Sequence, residues 1–304
     1  MKTVIIGPGS MGLLYGAKLS KAADAALIGN NAENIRLINQ NGVTVKRGDT
    51  SAHYDIPAYF SGEYRDKADL IILFTKGYIT KTALEQNRDI IGNDTVILTL
   101  QNGAGHESVL REFADDRHIL IGTTQQGSSR ENAYTVINSG LGDTVFGSLS
   151  SDFTDAKKYT AVFEKAGFPC AYSGDIYNMI WNKLIINASS SVLSGVLQVN
   201  QGYIAEDAAA REACQKLISE ICDAAAANGY IFDKQEQYDR IYTHLKNAPD
   251  GFTSIYADLK YGRKTEVDSI SGAVVRAAEE KGISLPNMEA IVKKVHEMEG
   301  GICK

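Results

Sequence analysis

The stretch VIIGPGSMG, residues 4–12, constrains the fold of this chain more than any other. An apolar run leads straight into Gly7, Gly9 and Gly12, and the helix-like GSMGLLYGAKLSKA follows. A buried strand that turns sharply into a helix needs residues without a Cβ, both at the turn and where helix and strand touch. Gly7 permits the tight turn, Gly9 leaves room for a pyrophosphate beside the backbone, and Gly12 lets the helix pack near the strand. Exposed amides at the start of the helix, around Ser10 and Met11, face the phosphates together with the helix dipole. The same string occurs in ordinary turns. The strand before it and the helix after it favour a dinucleotide-binding βα unit.

The first half continues in the same alternation. AALIG (25–29), LIILF (70–74), TVILTL (95–100) and HILIG (118–122) are short apolar runs suited to parallel strands buried on both faces. ENIRLINQNG, YITKTALEQNRDII and HESVLREFADD are helical stretches between them. The pattern predicts an α/β domain over residues 1–172, a Rossmann-type doubly wound parallel sheet. AYTVINSGLGDTVFGSL (133–149) is predicted as an antiparallel hairpin closing the sheet edge. Beyond about residue 172 the patterns are long and helical: IYNMIWNKLIINASSSVLSGVL, AEDAAAREACQKLISEICDAAAANG and KTEVDSISGAVVRAAEEKG. These predict an all-helical domain over residues 173–304.

Composition excludes several function classes. A net charge of -6 over 304 residues gives no basic footprint for nucleic acid. No apolar run approaches a membrane span, and the chain opens on a strand rather than a signal peptide, so a cytoplasmic protein with neither nucleic-acid nor membrane partners is expected. Cys170, Cys214, Cys222 and Cys303 form no CxxC pair and no zinc spacing, which predicts reduced thiols and no metal site. HExxH and GxSxG are both absent, which argues against a metallohydrolase or a serine hydrolase.

Polar residues then concentrate where ligands gather in such sheets. The second strand ends LIGNNAEN, with Asn30 and Asn31 where an NAD-selective site usually carries an acid. They are either donors to a cofactor's 2′-phosphate or plain turn residues. FTKGY (74–78), with Lys76, and LQNGAGHE (100–107), with Asn102 and Gly103, follow two successive strands. Their shared position points to one cleft rather than two unrelated turns. In WNKLIIN, Lys183 and Asn187 are one helical turn apart. By themselves they read as a lysine whose stem is buried and whose head reaches water.

In order and spacing, GPGSMG, FTKGY, QNGAG, WNKLIIN and TSIYADLKYGRKTEVDSISG resemble the ketopantoate reductase family across nearly the whole chain. The resemblance implies reduction of 2-dehydropantoate to (R)-pantoate with NADPH, on the route to pantothenate and coenzyme A. It implies a small-molecule substrate and a monomer or homodimer. Lys183 matches the family's catalytic lysine, acting as general acid; Glu266 matches the acid near it, and Asn102 the asparagine beside nicotinamide and substrate. Asn187 and Ser254 match substrate-binding positions. Ser191 stands where many members have a second asparagine, and Asn30 or Asn31 where many have arginine. These departures leave open another 2-oxo acid as substrate and the strength of NADP over NAD preference. A nucleotide-binding protein without turnover is the remaining alternative.

Overall fold

The computed structural model describes residues 1–302, so Cys303 lies outside the described residues. By internal contacts the chain divides into two compact units. One comprises Met1–Gln101 and His106–Ile176; the other comprises Asn102–Gly105 and the chain from Tyr177 onward.

The first unit runs β1 (Lys2–Ile6), α1 (Ser10–Leu19), β2 (Asp24–Gly29), α2 (Ala32–Asn41), β3 (Val43–Arg47), β4 (Thr50–Tyr54), β5 (Ala58–Phe60) and β6 (Leu70–Leu73). It continues through α3 (Thr80–Gln86), β7 (Val96–Thr99), β8 (Ile119–Thr124), β9 (Gly127–Arg130), β10 (Thr135–Gly140), β11 (Thr144–Ser148) and β12 (Cys170–Tyr172). Short helices α4 (Glu107–Leu110) and α5 (Ala156–Lys165) fill two of the crossovers. All five apolar runs read from the sequence are strands of one eight-stranded sheet, ordered β12-β11-β8-β7-β6-β1-β2-β5. Pairing is parallel throughout except between β11 and β8, so the sheet is mixed but mostly parallel. Its central strands are buried along their apolar runs, with only Lys2 at the start of β1 partly open.

Several expectations are corrected. The hairpin predicted over 133–149 does not close the edge of this sheet. Its first strand, β10, pairs antiparallel with β9 in a separate four-stranded sheet, ordered β4-β3-β10-β9. Its second strand, β11, joins the main sheet, and β12 takes the edge. Leu141, Gly142 and Asp143 separate the two, and Gln126, just after β8, donates through its side-chain amide to the Gly142 carbonyl and holds this connection. HESVLREFADD supplies only the single α-helical turn α4.

The second unit is helical: α6 (Ile176–Ile186), a π-helical segment (Asn187–Ser191), α7 (Val192–Leu197), α8 (Gln201–Glu206), α9 (Ala208–Ala227), α10 (Lys234–Asn247), α11 (Ser254–Lys260), α12 (Ser271–Glu279) and α13 (Pro286–Ile302). Asp207 and Asp233 cap α9 and α10 by accepting amide hydrogens from Ala210 and Glu236. The stretch KTEVDSI, expected to be helical, is a turn instead, and α12 begins only at Ser271.

Helix α1 is held to the sheet through Tyr15. Its ring stacks on Phe168 at 4.1 Å between centroids, and its hydroxyl meets the hydroxyls of Thr124 at 2.7 Å and Thr144 at 2.6 Å. Burial pushes the phenol up to about 12, so it remains a neutral hydroxyl. Tyr15→Phe keeps the ring stack and removes the hydroxyl from both threonines. It should cost about 1–2 kcal/mol, seen as a lower urea midpoint at unchanged slope. An unchanged midpoint would show that the hydroxyl adds nothing to helix docking.

Candidate active site

In the first unit the C-terminal ends of β7, β6, β1 and β2 lie in register: Ile6 is level with Leu73 and Ile28, and Leu73 with Thr99. The loops after these strands therefore emerge along one edge. The chain order reverses between β1 and β6, which is where doubly wound sheets hold ligands. Gly7 opens the first loop at φ +101°, and a Cβ there would lie 2.7 Å from the Thr75 amide nitrogen. Only glycine satisfies both conditions. Gly12 packs so closely that a Cβ would lie 2.0 Å from the Gly7 carbonyl oxygen. Gly9 is exposed, with nothing within 4 Å of its Cβ position, so the backbone beside it is open to a pyrophosphate. Ser10 starts α1 and its carbonyl accepts from the Ser128 hydroxyl at 3.1 Å; Met11 leans on the core. This open loop before a helix N-terminus fits the phosphates of a dinucleotide.

At the end of β2, Asn30 is exposed, and the side-chain oxygen of Asn31 caps α2 by accepting from the Asn34 amide at 2.9 Å. Arg36, the nearest arginine in the sequence, is bound twice to Glu33, at 2.6 and 2.8 Å. Lys76 sits at the start of the turn after β6, where its carbonyl accepts from the Ile79 amide. The neighbouring loops are joined by a residue that sequence reasoning passed over. Gln101 is buried; its amide nitrogen donates to the Thr75 carbonyl at 2.6 Å and the Thr80 hydroxyl at 2.7 Å, and its oxygen accepts from Thr99 at 2.9 Å. The quoted motif LQNGAGHE contains it, but only the buried geometry reveals the cross-link.

In the second unit, Asn102–Gly105 rests on the turn that carries Glu266. Gly103 has φ +101°, and a Cβ there would lie 2.0 Å from the Ser269 carbonyl oxygen. That same oxygen accepts the Ala104 amide at 2.9 Å. The loop that begins at Asn102 is thereby held against Ser269, three residues along the turn from Glu266. The Glu266 carbonyl accepts the amides of Ser269 and Ile270 at 3.1 and 3.0 Å and the Ser269 hydroxyl at 3.1 Å. Glu266 itself is buried, only 9% exposed.

Lys183 lies in the last turn of α6. Part of its surface stays open, yet the surrounding protein strips the ammonium of bulk water. Burial pulls its pKa from 10.5 down to about 8, against the opposing attraction of Glu266. A fully solvated lysine would keep its ordinary value, so desolvation of the ammonium argues against the snorkelling reading.

Residues Asn187–Ser191 form a π turn, a widened segment that accommodates one extra residue in the helix. The serines explain how the backbone tolerates it: the Ser189 hydroxyl donates to the Ile185 carbonyl and the Ser190 hydroxyl to Ile186 at 3.2 Å. The Ser191 carbonyl accepts the Thr253 hydroxyl at 3.0 Å, and the Thr253 oxygen also caps α11 through the Tyr256 amide. Thr253 thus anchors exposed Ser254, the first residue of α11, to the π segment.

Residues 3–151 match the family described as Ketopantoate reductase PanE/ApbA, and residues 175–299 match its C-terminal counterpart. The chain belongs to the ketopantoate reductase family. A 2-dehydropantoate 2-reductase of Streptococcus pyogenes serotype M6 is 30% identical over 302 residues, covering 98% of each chain. One of Pyrococcus horikoshii is 28% identical, with 99% of each covered. Among solved structures, a D-mandelate dehydrogenase with NADH and anilino(oxo)acetate matches at a TM-score of 0.94 and 27% identity over all of both chains. Like other ketopantoate reductase family members, this chain is therefore an NAD(P)-dependent oxidoreductase. Among the described residues no helix is long and apolar enough to cross a membrane, and no group of His, Cys, Asp or Glu is arranged to hold a metal ion.

The electrostatics set the sign of two tests. Glu266 raises the Lys183 pKa, so Glu266→Gln should move the lysine's titration below about 8; ¹³C-lysine NMR reads it, and an upward shift would refute the pairing. Because the folded pKa is lowered, a charged Lys183 destabilises the fold below about pH 8, and the cost is relieved between about 8 and 10.5. Lys183→Met should therefore raise stability at pH 7 by about 1–3 kcal/mol, with the gain fading above pH 10. A destabilised variant at pH 7 would show that the lysine is a structural partner.

Proposed function

We propose that this protein reduces the carbonyl of a 2-oxo acid to the 2-hydroxy acid, with Lys183 as the general acid. The observation that carries the reading is a half-buried lysine whose ammonium is stripped of bulk water and feels the buried Glu266, with its pKa brought to about 8. When bound, the dihydronicotinamide supplies the hydride. The keto oxygen gains negative charge as its carbon is reduced, and the Lys183 ammonium donates the proton that completes the alcohol. Glu266 keeps the ammonium charged and in place. Asn102, presented by the loop locked at Gly103, stands beside nicotinamide and substrate. Ser254 and Asn187 bind the polar groups of the acid, and Ser191 borders its far end. Gly7, Gly9, Ser10, Met11 and Gly12 receive the pyrophosphate, with Lys76 and Gly103 flanking the nicotinamide half.

Full-length relatives named 2-dehydropantoate 2-reductase support ketopantoate as the substrate, and the family resemblance implies NADPH as the reductant. A second reading has its own support. Ser191 is shorter than the family's asparagine, and the D-mandelate dehydrogenase match favours an acid with an apolar side chain. The cofactor follows the same division. No carboxylate at Asn30 or Asn31 repels a 2′-phosphate, but Arg36 is occupied by Glu33. We read the ribose end as accepting NADH as well as NADPH. Soluble, cytoplasmic action on a metabolite of the pantothenate route is the setting this reading implies.

The test is absorbance at 340 nm with ketopantoate, phenylglyoxylate and pyruvate, each with NADPH and NADH. Reduction should hold steady below about pH 8 and fall above it, because the acid must be protonated. Lys183→Ala should lower turnover about 10²–10⁴-fold with cofactor binding retained. A folded Lys183→Ala enzyme with near-normal turnover would remove the general acid from this lysine.

A further inference from the structure

We propose that His296, Glu299 and Asp268 form a positioning clamp that fixes the turn carrying Glu266, and through it the placement of the Glu266 carboxylate at Lys183. The inference rests on the functional reading above for its catalytic consequence, while its geometry stands apart from it. Glu299, on α13, spends one carboxylate oxygen on Thr265, accepting both its amide and its hydroxyl at 2.7 Å. The other oxygen meets His296 Nδ1 at 3.1 Å. The opposite ring nitrogen, Nε2, reaches the Asp268 carboxylate at 2.9 Å. Thr265 immediately precedes Glu266 and Asp268 lies two residues beyond it. One imidazole on one helix therefore closes a ring of polar contacts around the residue that faces the lysine.

Two features set this ring apart from a surface ion pair. The Glu299 side chain is only 14% exposed, so a carboxylate has been taken out of water to hold two donors of the ten-residue connection between α11 and α12. Such burial costs free energy unless the geometry is used. The turn is also held from inside, by Ser269 and Ile270 on the Glu266 carbonyl and by Arg276 donating to the Asp268 carbonyl at 2.9 Å. Those inner bonds fix the backbone's shape. The α13 contacts fix where the whole turn stands. A carboxylate displaced by about 2 Å from a lysine at effective dielectric near 20 shifts that lysine's titration by roughly 1 pH unit. A misplacement of about 1 Å costs up to about 10²-fold in rate.

His296→Gln, Glu299→Gln and Asp268→Asn in the full chain test it, since His296 and Asp268 are half exposed and their loss spares the core. Each variant is checked for folding by circular dichroism. The Lys183 titration, read by ¹³C-lysine NMR, should fall by about 0.5–1 pH unit, and the alkaline limb of turnover should move with it. Turnover should drop about 10- to 100-fold. The double variant His296→Gln/Glu299→Gln should be no worse than the worse single, as members of one network behave. Folded variants that melt earlier but leave both the Lys183 titration and the alkaline limb unmoved would make the ring a mere staple for α13 and overturn the proposal. A wild-type protein that reduces no 2-oxo acid would refute the functional reading instead, while the NMR shift would still decide the clamp.

Discussion

A cation held away from water beside an anion is the interaction on which the second unit is organised. Burial lowers the Lys183 pKa, and Glu266 opposes that loss of hydration by favouring the charged ammonium. Everything about the Glu266 turn serves to keep that offset constant. Its carbonyl is triply engaged, Gly103 packs against Ser269 with no room for a side chain, and α13 grips its two ends. A charge pair in so dry a place is sensitive to small displacements, so rigidity around it is a functional requirement rather than an accident of packing.

The first unit solves a different problem with the same economy of polar groups. At the end of β1 the backbone turns tightly from strand to helix and stays open at Gly9. Gly7 and Gly12 bring strand, turn and helix together, and buried Gln101 supplies donors and an acceptor to the two loops beside them. Tyr15 then pins the helix whose N-terminus faces that loop.

How much of this was legible depended on how local the cause was. The central strands announce themselves as unbroken apolar runs, and the glycine spacing fixes the first βα unit. The small sheet of β3, β4, β9 and β10 does not: its strands are short and mostly only partly buried, with many polar residues, so alternation is weak. Lys183 was visible as an oddity and gained a role only through family resemblance, because burial is a property of the folded surroundings. Glu266 sits in a string that reads as helix, since nothing within KTEVDSI shows that Thr265 is claimed by Glu299 from 34 residues away. Gln101, Thr253 and His296 escaped notice for the same reason: each acts by joining distant segments.

The π turn at Asn187–Ser191 carries a consequence for the gene as well as the molecule. One residue of helix corresponds to about 100° of rotation, and the wide π turn absorbs one extra residue so that α7 keeps its phase. That phase presents Gly195 to α11, where a Cβ would lie 2.5 Å from Ile255 Cγ2. Losing one codon of NASSS would regularise the helix with the phase kept, whereas losing a second would rotate α7 by about 100° and turn Val196 toward α11 in place of glycine. The reading frame of a helix, rather than the identity of any one side chain, is what this stretch of sequence has to preserve.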